Sequence, residues 1–136
     1  MGVGINVGDF YYEIGSEDFF HSFFSTISYH LEPEGWGTKY PFLMNEFYQG
    51  SLKWDLSTKL IEELKDAHRR LQNYKPSQVV WNIEDSSLEP PWGDNISSDI
   101  TSLANYFVTS DGEDLIEVLY NAFQTSYNEK ENIEIG

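Results

Sequence analysis

Leu60, Leu64, Ala67 and Leu71 recur at steps of four, three and four residues, and Ile61 widens the same stripe. A helix puts those positions on one face. Glu62, Glu63, Lys65, Asp66, Arg69 and Arg70 fall largely off it, and the late basic residues complement the helix dipole. Such a helix has to bury its apolar face against other elements, so the rest of the chain must supply them.

The remaining segments do so with two periods. Val3, Ile5 and Val7 alternate with Gly4 and Asn6 as in a strand, and Gly8-Asp9 turns the chain into a second strand, Phe10 to Ile14. Ser16 is placed to cap a helix whose first turn holds Glu17 and Asp18. Phe20, Phe23 or Phe24, Ile27 and Leu31 continue it at helical spacing, and Pro33 and Gly35 stop it. This phenylalanine face reads as core. Phe42 to Tyr48 reads as a strand with a turn at Gln49-Gly50, and Trp36, Tyr40, Tyr48 and Trp54 as packing residues. Val79 to Ile83 reads as a buried strand. Ile96, Ile100, Leu103 and Phe107 predict a short helix capped by Asn95 or Ser98. Ser110 with Glu113 fits a capping box for a last helix carrying Leu115, Leu119, Ala122 and Ser126 on one stripe. Ile133 and Ile135 suggest a terminal edge strand. The expected fold is α+β: a single compact domain over 1–136, with an N-terminal β-hairpin, about four helices and short additional strands.

Charge narrows the function. The formal net charge is −15, and the interval 76–129 holds ten carboxylates and no Lys or Arg. Such a field attracts cationic partners and repels nucleic acid and anionic membrane surfaces. No direct nucleic-acid or membrane partner is expected. Cysteine is absent, so disulfides, thiolate catalysis and cysteine-metal sites are excluded. The N-terminus lacks a basic region followed by an apolar stretch, and no apolar run reaches spanning length, so the chain reads as cytoplasmic.

The usual catalytic signatures are missing. His21, His30 and His68 have no metal-ligand spacing, and no nucleophile elbow, phosphate loop or dinucleotide fingerprint occurs. Asp94, Asn95 and Asp99 lack the ligand spacing of a calcium loop, while Asp111, Glu113 and Asp114 are explained by a helix start. Glu84 and Glu89 would make a glycosidase pair only if folded opposite each other. No enzyme, catalytic residue, metal site or cofactor is expected.

One acidic stretch has no such local explanation. EDSSLEPPWGDN puts Trp92 between the stiff Pro90-Pro91 pair and Gly93, beside Glu84, Asp85, Glu89 and Asp94. Two readings stand for Trp92: an anchor for a partner, or a cap on the protein's own core. As a binding surface, the acids would steer a basic partner and Trp92 would supply buried contact. The candidate partner-binding residues are therefore Glu84, Asp85, Glu89, Trp92 and Asp94.

Four stretches carry a family resemblance: DFFHSFFSTISYHLE (18–32), WGTKYPFLMNEFYQG (36–50), VVWNIEDSSLEPPWGDNIS (79–97) and YFVTSDGEDLIEVL (106–119). Their sharpest parts are Trp36, Gly37, Lys39, Tyr40 and Pro41, then Pro90 to Gly93, then Thr109 to Gly112. Over nearly its full length the chain resembles the bacterial immunity protein 70 family. The resemblance implies a cytoplasmic antitoxin that binds the C-terminal toxic domain of a cognate polymorphic toxin. The charge balance adds that this domain presents a positive surface. The resemblance implies inhibition by complex formation and does not say which residues touch the toxin. The alternatives are an acidic adaptor or regulator of a basic housekeeping protein and, more distantly, a carboxylate-dependent hydrolase.

Overall fold

The expected hairpin forms from β1 (Gly2–Val7) and β2 (Phe10–Ser16), paired antiparallel with Val7 opposite Phe10 across the Gly8-Asp9 turn. The structure, a computed structural model, describes residues 2–93 and 95–136. Three α-helices of 15 residues each follow: α1 (Glu17–Leu31), α2 (Ser57–Leu71) and α3 (Leu115–Glu129). β3 (Ser51–Leu52) and β4 (Ile133–Ile135) complete a sheet of order β2-β1-β4-β3. The fold is α+β, with α1 and α3 against the sheet and α2 packed across α3.

The core is phenylalanine-rich, as the spacing predicts. Phe20 meets Phe24 edge-on at 4.9 Å, Phe23 meets Phe107 at 5.3 Å and Phe47 meets Phe123 at 5.1 Å. Edge-to-face contacts of this kind add to the burial of the rings. Ser16 caps α1 by accepting from the Phe19 amide at 3.1 Å. The α2 stripe Leu60, Ile61, Leu64, Ala67 and Leu71 is buried throughout.

Four expected elements differ. Phe42–Phe47 is a π-helical segment, not a strand, with the Tyr48 amide donating to the Leu43 carbonyl. The reason is non-local: the Glu63 carboxylate of α2 accepts from the Leu43 and Phe42 amides at 2.8 and 3.4 Å, capping the segment. The helix expected over Ile96–Phe107 is a series of turns. There Asn105 Oδ1 accepts from the Thr101 and Ser102 amides, so a side chain takes donors that a helix ladder would use. Leu103 and Phe107 are buried all the same.

The cap of α3 is Asp114, whose Oδ1 accepts from the Ile116 amide at 2.9 Å. Ser110 is occupied elsewhere, its amide donating to the Ile14 carbonyl. Finally, β4 is an inner strand. It pairs antiparallel with β1 on one side and with two-residue β3 on the other.

Candidate functional site

A further difference builds the site. Val79 to Ile83 belongs to no sheet, with a bend at Trp81 and a turn at Ile83-Glu84. It straps across α1, whose buried face there is made of hydroxyls: Ser22, Ser25 and Thr26. Thr26 Oγ1 accepts from the Val80 amide at 3.1 Å and donates to the Val80 carbonyl at 3.2 Å. Ser22 Oγ donates to the same carbonyl at 2.9 Å, and Ser25 Oγ accepts from the Ile83 amide at 3.2 Å. His30 Nε2 donates to the Gln78 carbonyl at 2.7 Å. These bonds satisfy backbone groups that a neighbouring strand would otherwise satisfy. The strap is half-buried, whereas a fully buried strand was the expectation.

The strap leads directly into the acidic loop and sets where it starts. Asn82 Oδ1 accepts from the Glu84 amide at 2.9 Å, a local turn that swings the chain outward. Asp85 Oδ1 accepts from the Ser87 hydroxyl and from the Ser87 amide, and these bonds hold its carboxyl below the usual carboxylate range. Glu84, Asp85 and Glu89 are all exposed. Asp94, the remaining predicted acid, lies outside the described residues. Glu89 lines a groove beside the strap and Glu84 does not. The charge of Glu84 instead reaches Tyr48, whose hydroxyl is raised first by burial and then by Glu84 and Glu17.

Among the described residues, Glu84, Asp85 and Glu89 make no ion pair with a base of the chain. Among the described residues both ion pairs are made by Asp66, with Arg69 and Arg70 on the same helix. Lys39, Lys59, Lys65 and Lys130 lie over aromatic rings elsewhere, on Tyr40, Phe42, Tyr120 and Trp54.

Trp92 is tied into the protein's own fold, as the core-cap reading expects. Its indole Nε1 donates to the Tyr106 hydroxyl at 2.7 Å, and its ring meets Trp81 edge-on at 5.3 Å. Tyr106 is itself buried, and burial raises its hydroxyl while the Trp92 bond lowers it. Yet Trp92 stays 37% exposed. Its polar tip is tied to the fold while part of its ring remains at the surface.

The groove measures about 950 Å³ and runs between the strap and residues 86–96. Val79, Trp81, Leu88, Ile96 and Tyr106 give it an apolar and aromatic lining, with Glu89 on one side. Its basic residue Lys75 stands with His30 and Gln78 near the start of the strap.

Sequence reasoning missed a second set of carboxylates, which turn inward. Glu32 is only 3% exposed and accepts from the amides of Gly37, Lys39 and Tyr40, each at 3.0 Å. Gly37 has φ +80, and a Cβ there would collide with Asn45. Trp36 Nε1 donates to the Met44 carbonyl at 3.0 Å, and the Tyr40 hydroxyl donates to Asp66 at 2.6 Å. Burial opposes ionisation of Asp66, but Tyr40, Arg70 and Arg69 outweigh it and keep that carboxyl below its usual range. Glu63 is shifted upward, by burial first, against the bonds from Leu43 and Phe42. The sequence signal for this set was the Trp36–Pro41 motif itself. Its partners Glu32, Glu63 and Asp66 carried none.

No described helix is long and apolar enough to cross a membrane. No curated protein and no solved structure gives a match to the chain. The family model described as immunity protein 70 matches residues 5–135. The chain belongs to the immunity protein 70 family.

Proposed function

We propose that this member of the immunity protein 70 family binds the toxic C-terminal domain of a cognate polymorphic toxin and neutralises it by occupation, in a tight one-to-one complex in the cytoplasm of the producing cell. The recognition surface is the loop from Glu84 to Asp94. Glu84, Asp85, Glu89 and Asp94 draw in a basic toxin surface, and the exposed part of Trp92 packs against it. One observation carries this assignment beyond family membership. The described acids of this loop are exposed and unpaired, on a segment whose root is bonded firmly to α1. A preformed surface of uncompensated charge suits fast, specific association.

The test is binding to the toxin domain encoded by the adjacent upstream gene, followed by stopped-flow kinetics on variants. Joint charge reversal at Glu84, Asp85, Glu89 and Asp94 is expected to slow association at least about tenfold and to flatten its salt dependence. Trp92→Ala is expected mainly to hasten dissociation. Absence of wild-type binding at low micromolar concentration rejects the function. Binding with unchanged association rate and salt dependence in the four-fold variant rejects the surface.

A further inference from the structure

The sheet has two outer strands of unequal length. β3 is two residues long, whereas β2 runs for seven and contains neither Lys nor Pro, the residues that commonly keep an outer strand from pairing with another chain. The phase of the hydrogen bonds fixes which groups of β2 are unused. Gly4 and Gly136 exchange amide-to-carbonyl bonds, each at 3.0 Å, so Gly4 turns its backbone toward the β4 side. β1 alternates, so Ile5 and Val7 turn theirs toward β2, opposite Tyr12 and Phe10. Tyr11 and Glu13 therefore point their amides and carbonyls outward, and no described backbone group bonds them. Beyond Glu13 the edge is closed, because the Ser110 amide donates to the Ile14 carbonyl at 3.0 Å.

The side chains along this edge are set by the same alternation. Tyr12 and Ile14 face inward, Tyr12 through a 2.7 Å hydroxyl bond to Thr125 of α3 and Ile14 fully buried. Tyr11 lies on the opposite face over Gly4, where a Cβ would collide with its ring. Phe10 is 49% exposed and Tyr11 54%. Charge then selects the occupant. Residues 1–38, like 76–129, contain no Lys or Arg. Exposed Asp9 stands in the turn that begins β2. The Tyr11 hydroxyl is shifted upward, by burial first and then by the charges of Glu13 and Asp111. A second copy would set these acids, and a net charge of −15, against themselves. A cationic strand meets no such penalty.

We propose that the toxin domain adds a strand of its own to the sheet along Phe10–Glu13, with Lys or Arg on the face of Tyr11 and Glu13 and apolar residues on the face of Phe10 and Tyr12. The main-chain bonds to Tyr11 and Glu13 supply affinity, and the alternating side chains supply selectivity. The edge is within reach of a domain that also contacts the acidic loop. Ser110 is bonded to Ile14 of β2, and Tyr106 to Trp92 of the loop. Those two residues are four apart in the chain, so their Cα atoms are at most about 14 Å from each other. The proposal rests on the toxin-binding function and adds to it a backbone-paired contact outside the loop.

Two measurements on the full chain decide it, both with the toxin domain encoded by the adjacent upstream gene. In the first, amide hydrogen exchange is followed by NMR in the free protein and in the complex. The Tyr11 and Glu13 amides are expected to exchange fast in the free protein, unlike those of Phe10 and Tyr12, and to slow at least about tenfold in the complex. Exchange at Tyr11 and Glu13 that is equally fast in the complex overturns the added strand and spares the toxin-binding function. Slowing that grows with the concentration of the free protein identifies a second copy as the occupant and also overturns the proposal. In the second, dissociation of the complex is compared for Tyr11→Val, which keeps the outward N–H, and Tyr11→Pro, which removes it at an edge position where Pro is tolerated. The Pro variant is expected to dissociate at least about tenfold faster than the Val variant. Equal rates overturn the pairing, and if Tyr11→Pro does not fold, the exchange measurement decides alone. Failure of the wild type to bind the toxin domain rejects the function and the occupant together.

Discussion

Residues 36–47 and 79–93 are two aromatic, glycine- and proline-containing stretches with carboxylates close by, and the fold uses them oppositely. Around the first, Glu32, Glu63 and Asp66 turn inward and accept from five backbone amides and a tyrosine hydroxyl. Around the second, hydroxyls of α1 hold the backbone, Glu84 and Glu89 stay at the surface, and only Asp85 also bonds its own loop, through Ser87. A charge that organises a loop is committed to its own chain. A loop organised by neutral hydroxyls leaves its charges available for a partner. That division separates the acids that build the protein from those left at the surface.

The sharpest way to break the comparison is Glu32→Ala. It strands three amides around a buried carboxylate site and is expected to cost about 3 kcal/mol or more in urea denaturation. Glu32→Gln retains an acceptor and should lose less. A cost within about 0.5 kcal/mol for the alanine variant would show that the inward carboxylates do not hold residues 36–40.

Thr26→Val comes next. It removes both the acceptor for the Val80 amide and one donor to its carbonyl, at a similar side-chain volume. A loss of about 1 to 2 kcal/mol is expected, with faster hydrogen exchange at the Val80 amide. Unchanged exchange would mean that the strap is held by something other than the hydroxyl face.

Gly93→Ala should cost about 1 kcal/mol, because the left-handed backbone there (φ +56) disfavours a side chain although the space around it is open. Thermal melts check this, and a stabilised variant would show that the turn relaxes freely.

The smallest effect is read as a pH slope. The Glu63 carboxyl is raised in the folded protein above its ordinary 4.5, so its contribution favours folding at low pH and is lost as pH rises through the folded value. Asp66 is held below its ordinary 3.8, so its contribution is present above that value and is lost as pH falls through the folded one. Glu63→Gln should therefore gain stability relative to wild type between about pH 4 and pH 7, while the advantage of wild type over Asp66→Asn should shrink below about pH 4. Parallel pH profiles for wild type and both variants would remove the distinction between the two carboxylates.

Elements with a strong local period were legible from sequence. The hairpin, the Ser16 cap, the three long helices and the phenylalanine core follow from residues a few positions apart. The acidic loop was legible as a place, and Trp92 as its central aromatic. Its geometry was not. The bond from Trp92 to Tyr106 spans 14 residues, and the bonds from Thr26 to Val80 span 54. No period reports such partners, and a run such as Val79-Val80-Trp81 has the composition of a strand whether a strand or a hydroxyl-faced helix lies beside it.

The sequence by itself determined the helical stripes, the charge imbalance, the membership of the immunity protein 70 family and the stretch where acids gather. All of these depend on near neighbours, on composition, or on motifs such as Trp36–Pro41 and Pro90–Gly93. Only the tertiary structure decided that β4 enters the sheet between β1 and β3, that Phe42–Phe47 coils under a carboxylate from α2, and that Val79–Ile83 forms a strap bordering a groove. Each of those outcomes turns on which distant group satisfies a backbone amide or carbonyl. That choice is settled when the elements pack, because every buried polar group must then find its partner.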